Sequence, residues 1–268
     1  MTGGSGSLRK ALEDAVRTAV RGKEVAIAFS GGLDSGILAA LAKDHADGLV
    51  LYTAGTEGSH DVREARSSAD ELKTRLIHIP IEEHQIRDGL KEIISITGVK
   101  DPVTLSFELP LFFVCKNSKE KDILGGQGAD ELFAGYAKYI GLDKSDLIRM
   151  LEEDKKKLRE STIECERKIA EHFGKTIHHP YLDAEVVKAV SDLGIEAIIP
   201  TDGPMSRKKV LREVAEMIGY PGISSKGKKS AQYGSGSMAM INKICAKEGV
   251  TFSELIEVLA EEAVEEAA

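Results

Sequence analysis

Residues 24–43 read EVAIAFSGGLDSGILAALAK. The first six form a short, mostly apolar run, the pattern of a strand buried on both faces of a parallel sheet. The run passes without a spacer into Ser30-Gly31-Gly32-Leu33-Asp34-Ser35 and then into a helical stretch. The paired glycines let backbone amides come close to an anion, and the helix that follows points its positive N-terminus at the same place. Strand, glycine loop and helix together make a phosphate cradle. It lacks the GxxxxGK[ST] spacing of a Walker loop, which sets aside the common kinase and GTPase readings.

Working outward, Leu8, Leu12, Ala15, Val16 and Ala19 recur at helical spacing, so a helix over residues 8–20 precedes the first strand. A second strand at 48–53 leads to a helix over 62–72, and a third at 75–80 to a helix over 84–97. This alternation predicts an α/β fold with a doubly wound parallel sheet, whose ligands bind beyond the carboxyl ends of the strands. A short fourth strand at 122–124 ends in a second glycine loop. Beyond it the pattern is helical: over 144–173, 184–193, 207–218 and 237–247, and in a last segment where Thr251 and Glu254 have capping-box spacing. The expected organisation is an α/β core over residues 1–140 and a helical portion over 141–268 that completes the site.

The 268 residues are 42% hydrophobic and 30% charged, a balance that supports a buried core and excludes a solvated tail. A net charge of −8 argues against a general polyanion surface, so nucleic acid is not an expected partner. Neither a membrane span nor a secretory signal is legible, and the chain reads as cytoplasmic. Cys115, Cys165 and Cys245 are odd in number and widely spaced, and read as free thiols. A spatial cluster of three thiolates is the alternative.

The loop SGGLDS after a first strand resembles that of the ATP pyrophosphatase superfamily, which includes asparagine, GMP and NAD synthetases and tRNA thiolation enzymes. Two further segments resemble asparagine synthetase. Residues 52–61 read YTAGTEGSHD and lead into Glu64-Ala65-Arg66, and residues 126–136 read GQGADELFAGY, similar to that family's GEGADELFGGY. The resemblance implies a sheet of the adenine nucleotide alpha hydrolase-like type. It implies ATP and pyrophosphate binding by Ser30, Gly31, Gly32, Asp34, Ser35, Thr53, Gly55 and Gly126. It also implies that Asp34 and Asp130 hold Mg²⁺ on the triphosphate, as hard oxygen donors suit that ion. Gln127 stands where the family carries glutamate, and since an amide cannot accept a proton from the nucleophile, the catalytic role the resemblance gives it is expected to work by hydrogen bonding, or the nucleophile differs.

Residues 106–110 (SFELP) and 179–183 (HPYLD) resemble further segments of the family. Residues 226–236, KGKKSAQYGSG, resemble its R-x-K segment, which assigns the cation on the departing pyrophosphate to Lys228, with Lys226 in the arginine's place. Arg207, Lys208, Lys209 and Arg212 resemble its K-x-x-LR stretch and are expected to be structural. Tyr136 reads as a packed aromatic outside the site, and Asp183 as a helix cap.

By this resemblance the chain is expected to activate a carboxylate, L-aspartate first, as an acyl adenylate and to pass it to ammonia. No stretch ahead of the first strand is long enough for an amidotransferase domain, so ammonia is expected to arrive free or from a separate glutaminase subunit. The alternatives are an amide ligase for another carboxylate or amine, a tRNA-modifying enzyme and a noncatalytic nucleotide-binding subunit.

Overall fold

The computed structural model describes residues 2–200, 206–227 and 231–267. Helix α1 (Thr2–Val20) leads into strand β1 (Glu24–Ala28), followed by α2 (Leu33–Lys43), β2 (Gly48–Gly55), α3 (His60–Leu72), β3 (Leu76–Pro80) and α4 (Glu83–Thr97). Next come α5 (Pro102–Asn117), β4 (Asp122–Leu124), the single turn α6 (Ala129–Leu132), α7 (Lys144–Lys157), α8 (Ile163–His172) and β5 (Thr176–His178). The rest is helical: α9 (Ala184–Leu193), α10 (Lys209–Met217), α11 (Pro221–Ser224), α12 (Ala231–Gly234), α13 (Ser237–Glu248) and α14 (Phe252–Ala267). Thr251 and Glu254 cap α14 reciprocally, with the Glu254 amide donating to Thr251 Oγ1 at 3.2 Å and the Thr251 amide to Glu254 Oε2 at 2.6 Å.

The described strands form one five-stranded sheet in the order β3-β2-β1-β4-β5, every pairing parallel. The doubly wound α/β expectation is met, and alternation along β1 shows why. Val25 and Ile27 enter one core with α1, α2, α3 and α10, whereas Ala26 enters the other with α4, α5, α13 and α14. With helices on both faces, no strand side can be polar, which is why β1 reads as a continuous apolar run.

Beside the single-turn helices α6, α11 and α12, which the sequence did not suggest, three larger differences stand out. β5 was not expected; it pairs with β4 and brings a strand from the carboxyl-terminal half into the sheet. α5 was unassigned, and it carries the SFELP segment along a helix with Pro110 inside it. The single helix expected over residues 144–173 is interrupted by a π-helical turn at Leu158–Thr162 between α7 and α8. Such turns re-aim the side chains that follow.

Among the described residues no helix is long and apolar enough to cross a membrane.

Candidate functional site

The strand order reverses between β1 and β4: β2 and β3 lie to one side of β1, β5 to the far side of β4. A crevice opens beyond the carboxyl ends at such a switch point. Both glycine loops leave from it, SGGLDS after β1 and GGQGADE after β4. A cavity of about 210 Å³ lies there.

Ser30, Gly32, Asp34, Ser35, Thr53, Gly126, Gln127 and Asp130 all line this cavity. Gly31 and Gly55 do not, because each is packed behind it. Gly31 has φ +73°, and a Cβ there would lie 2.2 Å from the Ala65 amide nitrogen, so only glycine lets the loop pass this close to α3. Gly55 abuts the backbone at Ser235, whose carbonyl accepts from the Thr56 amide at 2.8 Å. Lys228 lies outside the described residues. Its neighbour Lys226 lines the cavity and pairs with Glu64 at 2.9 Å.

Asp34 in the first turn of α2 and Asp130 in the first turn of α6 converge on one atom. Lys208 Nζ lies 2.5 Å from Asp34 Oδ2 and 2.8 Å from Asp130 Oδ1. Lys208 is buried, and burial lowers the pKa of its ammonium against the pull of the Asp34 carboxylate. It reaches the pair from a left-handed backbone position, φ +56°, just before α10. Gly135 leaves the space: a Cβ there would sit 1.9 Å from Asp130 Oδ1 and 2.1 Å from Lys208 Cε. Two carboxylates already directed at one cation fit Mg²⁺, which takes a few protein carboxylates and completes its shell with waters and phosphates.

Lys208, expected to be structural, meets both proposed metal ligands. Its neighbours do support the frame. Arg207 donates to the Gly135 carbonyl at 3.0 Å, and Arg212 donates to the Ser224 and Lys226 carbonyls, which positions Lys226. Tyr136, expected outside the site, lines the cavity, and its hydroxyl donates to Glu131 Oε1 at 2.7 Å. From the HPYLD segment, the buried Tyr181 hydroxyl donates to the Asp34 carbonyl at 3.0 Å and anchors the first loop. Asp183 caps α9 as expected, accepting from the Glu185 amide at 2.9 Å.

The cavity has a second, acidic end. Glu108 on α5 and Glu166 on α8 line it, and Gln127 hydrogen-bonds to Glu166. Glu108 is fully buried and neither of its carboxylate oxygens has a hydrogen-bond partner. His179 Nε2 lies 3.3 Å from Glu166 Oε2, yet the alignment makes no hydrogen bond, and both ring nitrogens remain unbonded. Burial pushes the Glu166 carboxyl up to about 8 and, with the neighbouring Glu166 charge, raises Glu108 well above the carboxylate range. Burial holds His179 down at about 4, so the ring is neutral. Sequence reasoning missed Glu166, since no local motif surrounds it, and Glu108 was noticed only as part of SFELP.

All three cysteines are free and buried. Burial pushes the Cys115 and Cys165 thiols up to about 12, so the thiolate alternative is not met.

The asparagine synthase family model matches residues 7–147, just over half of the chain. A putative glutamine-hydrolysing asparagine synthetase of Methanocaldococcus jannaschii is 30% identical, covering 94% of this chain and 53% of that protein. Asparagine synthetase B of Escherichia coli K12, also named glutamine-hydrolysing, is 27% identical over 78% of this chain and 41% of its own length. The chain thus spans about half the length of the curated relatives it matches. Among solved structures, NMN synthetase from Francisella tularensis aligns at 15% identity and a TM-score of 0.34, covering 72% of this chain and 92% of that one. With its two glycine loops at the switch point and residues 7–147 matched by the family model, the chain belongs to the asparagine synthase family.

Proposed function

We propose that the chain is an ATP-dependent amide ligase of the cytoplasm that activates L-aspartate as an acyl adenylate and transfers it to ammonia, giving asparagine, AMP and pyrophosphate. The observation that carries this reading is the convergence of Asp34 and Asp130 on one cation at the mouth of the SGGLDS loop. Residues 1–140 supply the nucleotide core and 141–268 complete the site, since Glu166 and Lys208 both enter the cavity from the latter.

In this reading the substrate carboxylate attacks the α-phosphate and pyrophosphate leaves into the loop formed by Ser30, Gly31, Gly32 and Ser35. Thr53 flanks the adenine, with Gly55 packed behind it, and Gly126 lets the second loop close on the nucleotide. Asp34 and Asp130 would hold Mg²⁺, which would supply positive charge for the triphosphate. Lys228 and Lys208 place positive charge where the leaving group gains negative charge, the arrangement that lowers a barrier rather than only tightening binding. Ammonia arrives free or from a separate glutaminase, as the names of the glutamine-hydrolysing relatives suggest.

A second reading, an amide ligase for a different amine, is favoured by one observation: Gln127 is bonded to Glu166, so the base next to the nucleophile is not in the family's usual place. Incubation with MgATP, L-aspartate and ammonium decides between them. Equimolar pyrophosphate and asparagine, both abolished by Asp34→Asn, are expected. Pyrophosphate without asparagine rejects ammonia as the acceptor, and neither product rejects the aspartate reading.

A further inference from the structure

Glu108 and Glu166 are two buried carboxyl groups that face the cavity with no cation beside them among the described residues. Glu108 has no hydrogen-bond partner at all, and Glu166 has one from an amide, Gln127. The histidine beside them is too deeply buried to carry charge. Such an arrangement is costly, because a buried carboxylate without a partner loses hydration and gains nothing in exchange. Elsewhere in the site a half-buried carboxylate pair has its cation built in: the buried Lys208 lies between Asp34 and Asp130. Here the described residues provide none.

The missing partner also has constraints on its size and chemistry. Leu111, Val114 and Ile177 line the cavity along with the two carboxyl groups, so a bulky hydrated ion is poorly accommodated. Among the described residues no group of three or more His, Cys, Asp or Glu is arranged to hold a metal ion. A small cation bearing N–H bonds fits both facts, as it can donate to several carboxylate oxygens while its remaining surface meets apolar walls.

We propose that Glu108 and Glu166 form the site of the nitrogen substrate, which binds as a cation, ammonium or a small primary alkylammonium, and that Glu166 takes its proton. This rests on the amide ligase reading above. Glu166, in its ionised form once the cation is bound, accepts one N–H proton, and Gln127 holds the carboxylate in place. The freed nitrogen lone pair forms the C–N bond at the acyl carbon of the adenylate. The C–O bond to the phosphate breaks, AMP leaves with the electron pair, and the second N–H proton passes to solvent. Gln127 then has a role that an amide can fill, with the base one side chain further away.

Two measurements on the full chain test this. The first needs no carboxylate substrate. Ammonium chloride or methylammonium chloride raises the melting temperature above that in tetramethylammonium chloride at equal ionic strength, and the rise is lost in Glu108→Gln and in Glu166→Gln. The larger rise of the two identifies the nitrogen source. No rise with either cation in the unsubstituted protein, or a rise that survives both substitutions, overturns the proposal.

The second measurement separates it from the parent reading. Aspartate-dependent exchange of pyrophosphate into ATP reports adenylation alone, and its absence in the unsubstituted protein rejects aspartate while the melting experiment still decides the cation site. Where exchange is present, the ratio of amide formation to exchange falls about 100-fold or more in Glu166→Gln, the usual scale of a lost general base. An unchanged ratio overturns the proton-accepting role.

Discussion

At the scale of the residue, the cation between Asp34 and Asp130 is the feature with the clearest energetic consequence. Lys208 neutralises two carboxylates in a nearly dry place, and removing one partner of such a cluster leaves the others uncompensated. Lys208→Met is expected to lower the unfolding free energy by about 3 kcal/mol, measured by urea denaturation, with part of the loss recovered on adding MgATP. Recovery is expected because the nucleotide's metal would bring positive charge to the same two carboxylates. The glycine loops were legible in the sequence, since strand, loop and helix are contiguous and each leaves a local pattern. Lys208 was not. It lies 174 positions from Asp34, and what delivers it is a left-handed turn and the gap at Gly135, neither of which has a periodicity to read. Glu166 was hidden for a related reason: a single glutamate on a charged helix reads as solvated surface until the helix is seen to face inward.

At the scale of the element, legibility followed length and pattern. Helix α14 was found from its capping box, and that cap has a measurable worth. Thr251→Ala is expected to cost about 1 kcal/mol in equilibrium unfolding, without altering pyrophosphate release, because α14 packs on α4 away from the cavity. β5 was missed because three residues, Thr176–His178, are too few to show an alternation. α5 was missed because its buried residues run almost without interruption from Leu105 to Cys115, which erases the stripe of an amphipathic helix, and because Pro110 reads as a breaker. The π turn at Leu158–Thr162 leaves the 3.6-residue pattern nearly intact on either side, so a continuous helix was the natural reading. Its position a few residues before Glu166 makes it part of how that carboxylate is aimed.

At the scale of the whole molecule, alternation of strands and helices gave a parallel sheet but not its order, because β3-β2-β1-β4-β5 depends on which way each crossover turns. The buried carboxyl and imidazole groups set a pH dependence. His179 is held at about 4, below its unfolded value, so its contribution to stability grows as pH rises from about 4 to about 6.5. Glu166 is held at about 8, above its unfolded value, so its protonated form favours the fold at low pH and that advantage is lost as pH rises towards about 8. The two oppose each other below about pH 6.5; above it only the carboxyl groups act, Glu166 and, in the same direction, the raised Glu108. Unfolding free energy is expected to fall by about 2 kcal/mol between pH 6.5 and 8, a slope that Glu166→Gln flattens. One contact has a consequence for biosynthesis. Helix α1 packs against α9 and α10, and Ser5 Oγ donates to Glu213 Oε2 at 2.6 Å. As it leaves the ribosome, this helix therefore waits for partners about two hundred codons downstream, an interval of roughly 10–40 s at ordinary elongation rates. Throughout it the apolar stripe of Leu8, Leu12 and Val16 lacks part of its native cover, which makes this nascent helix a natural client for a ribosome-associated chaperone.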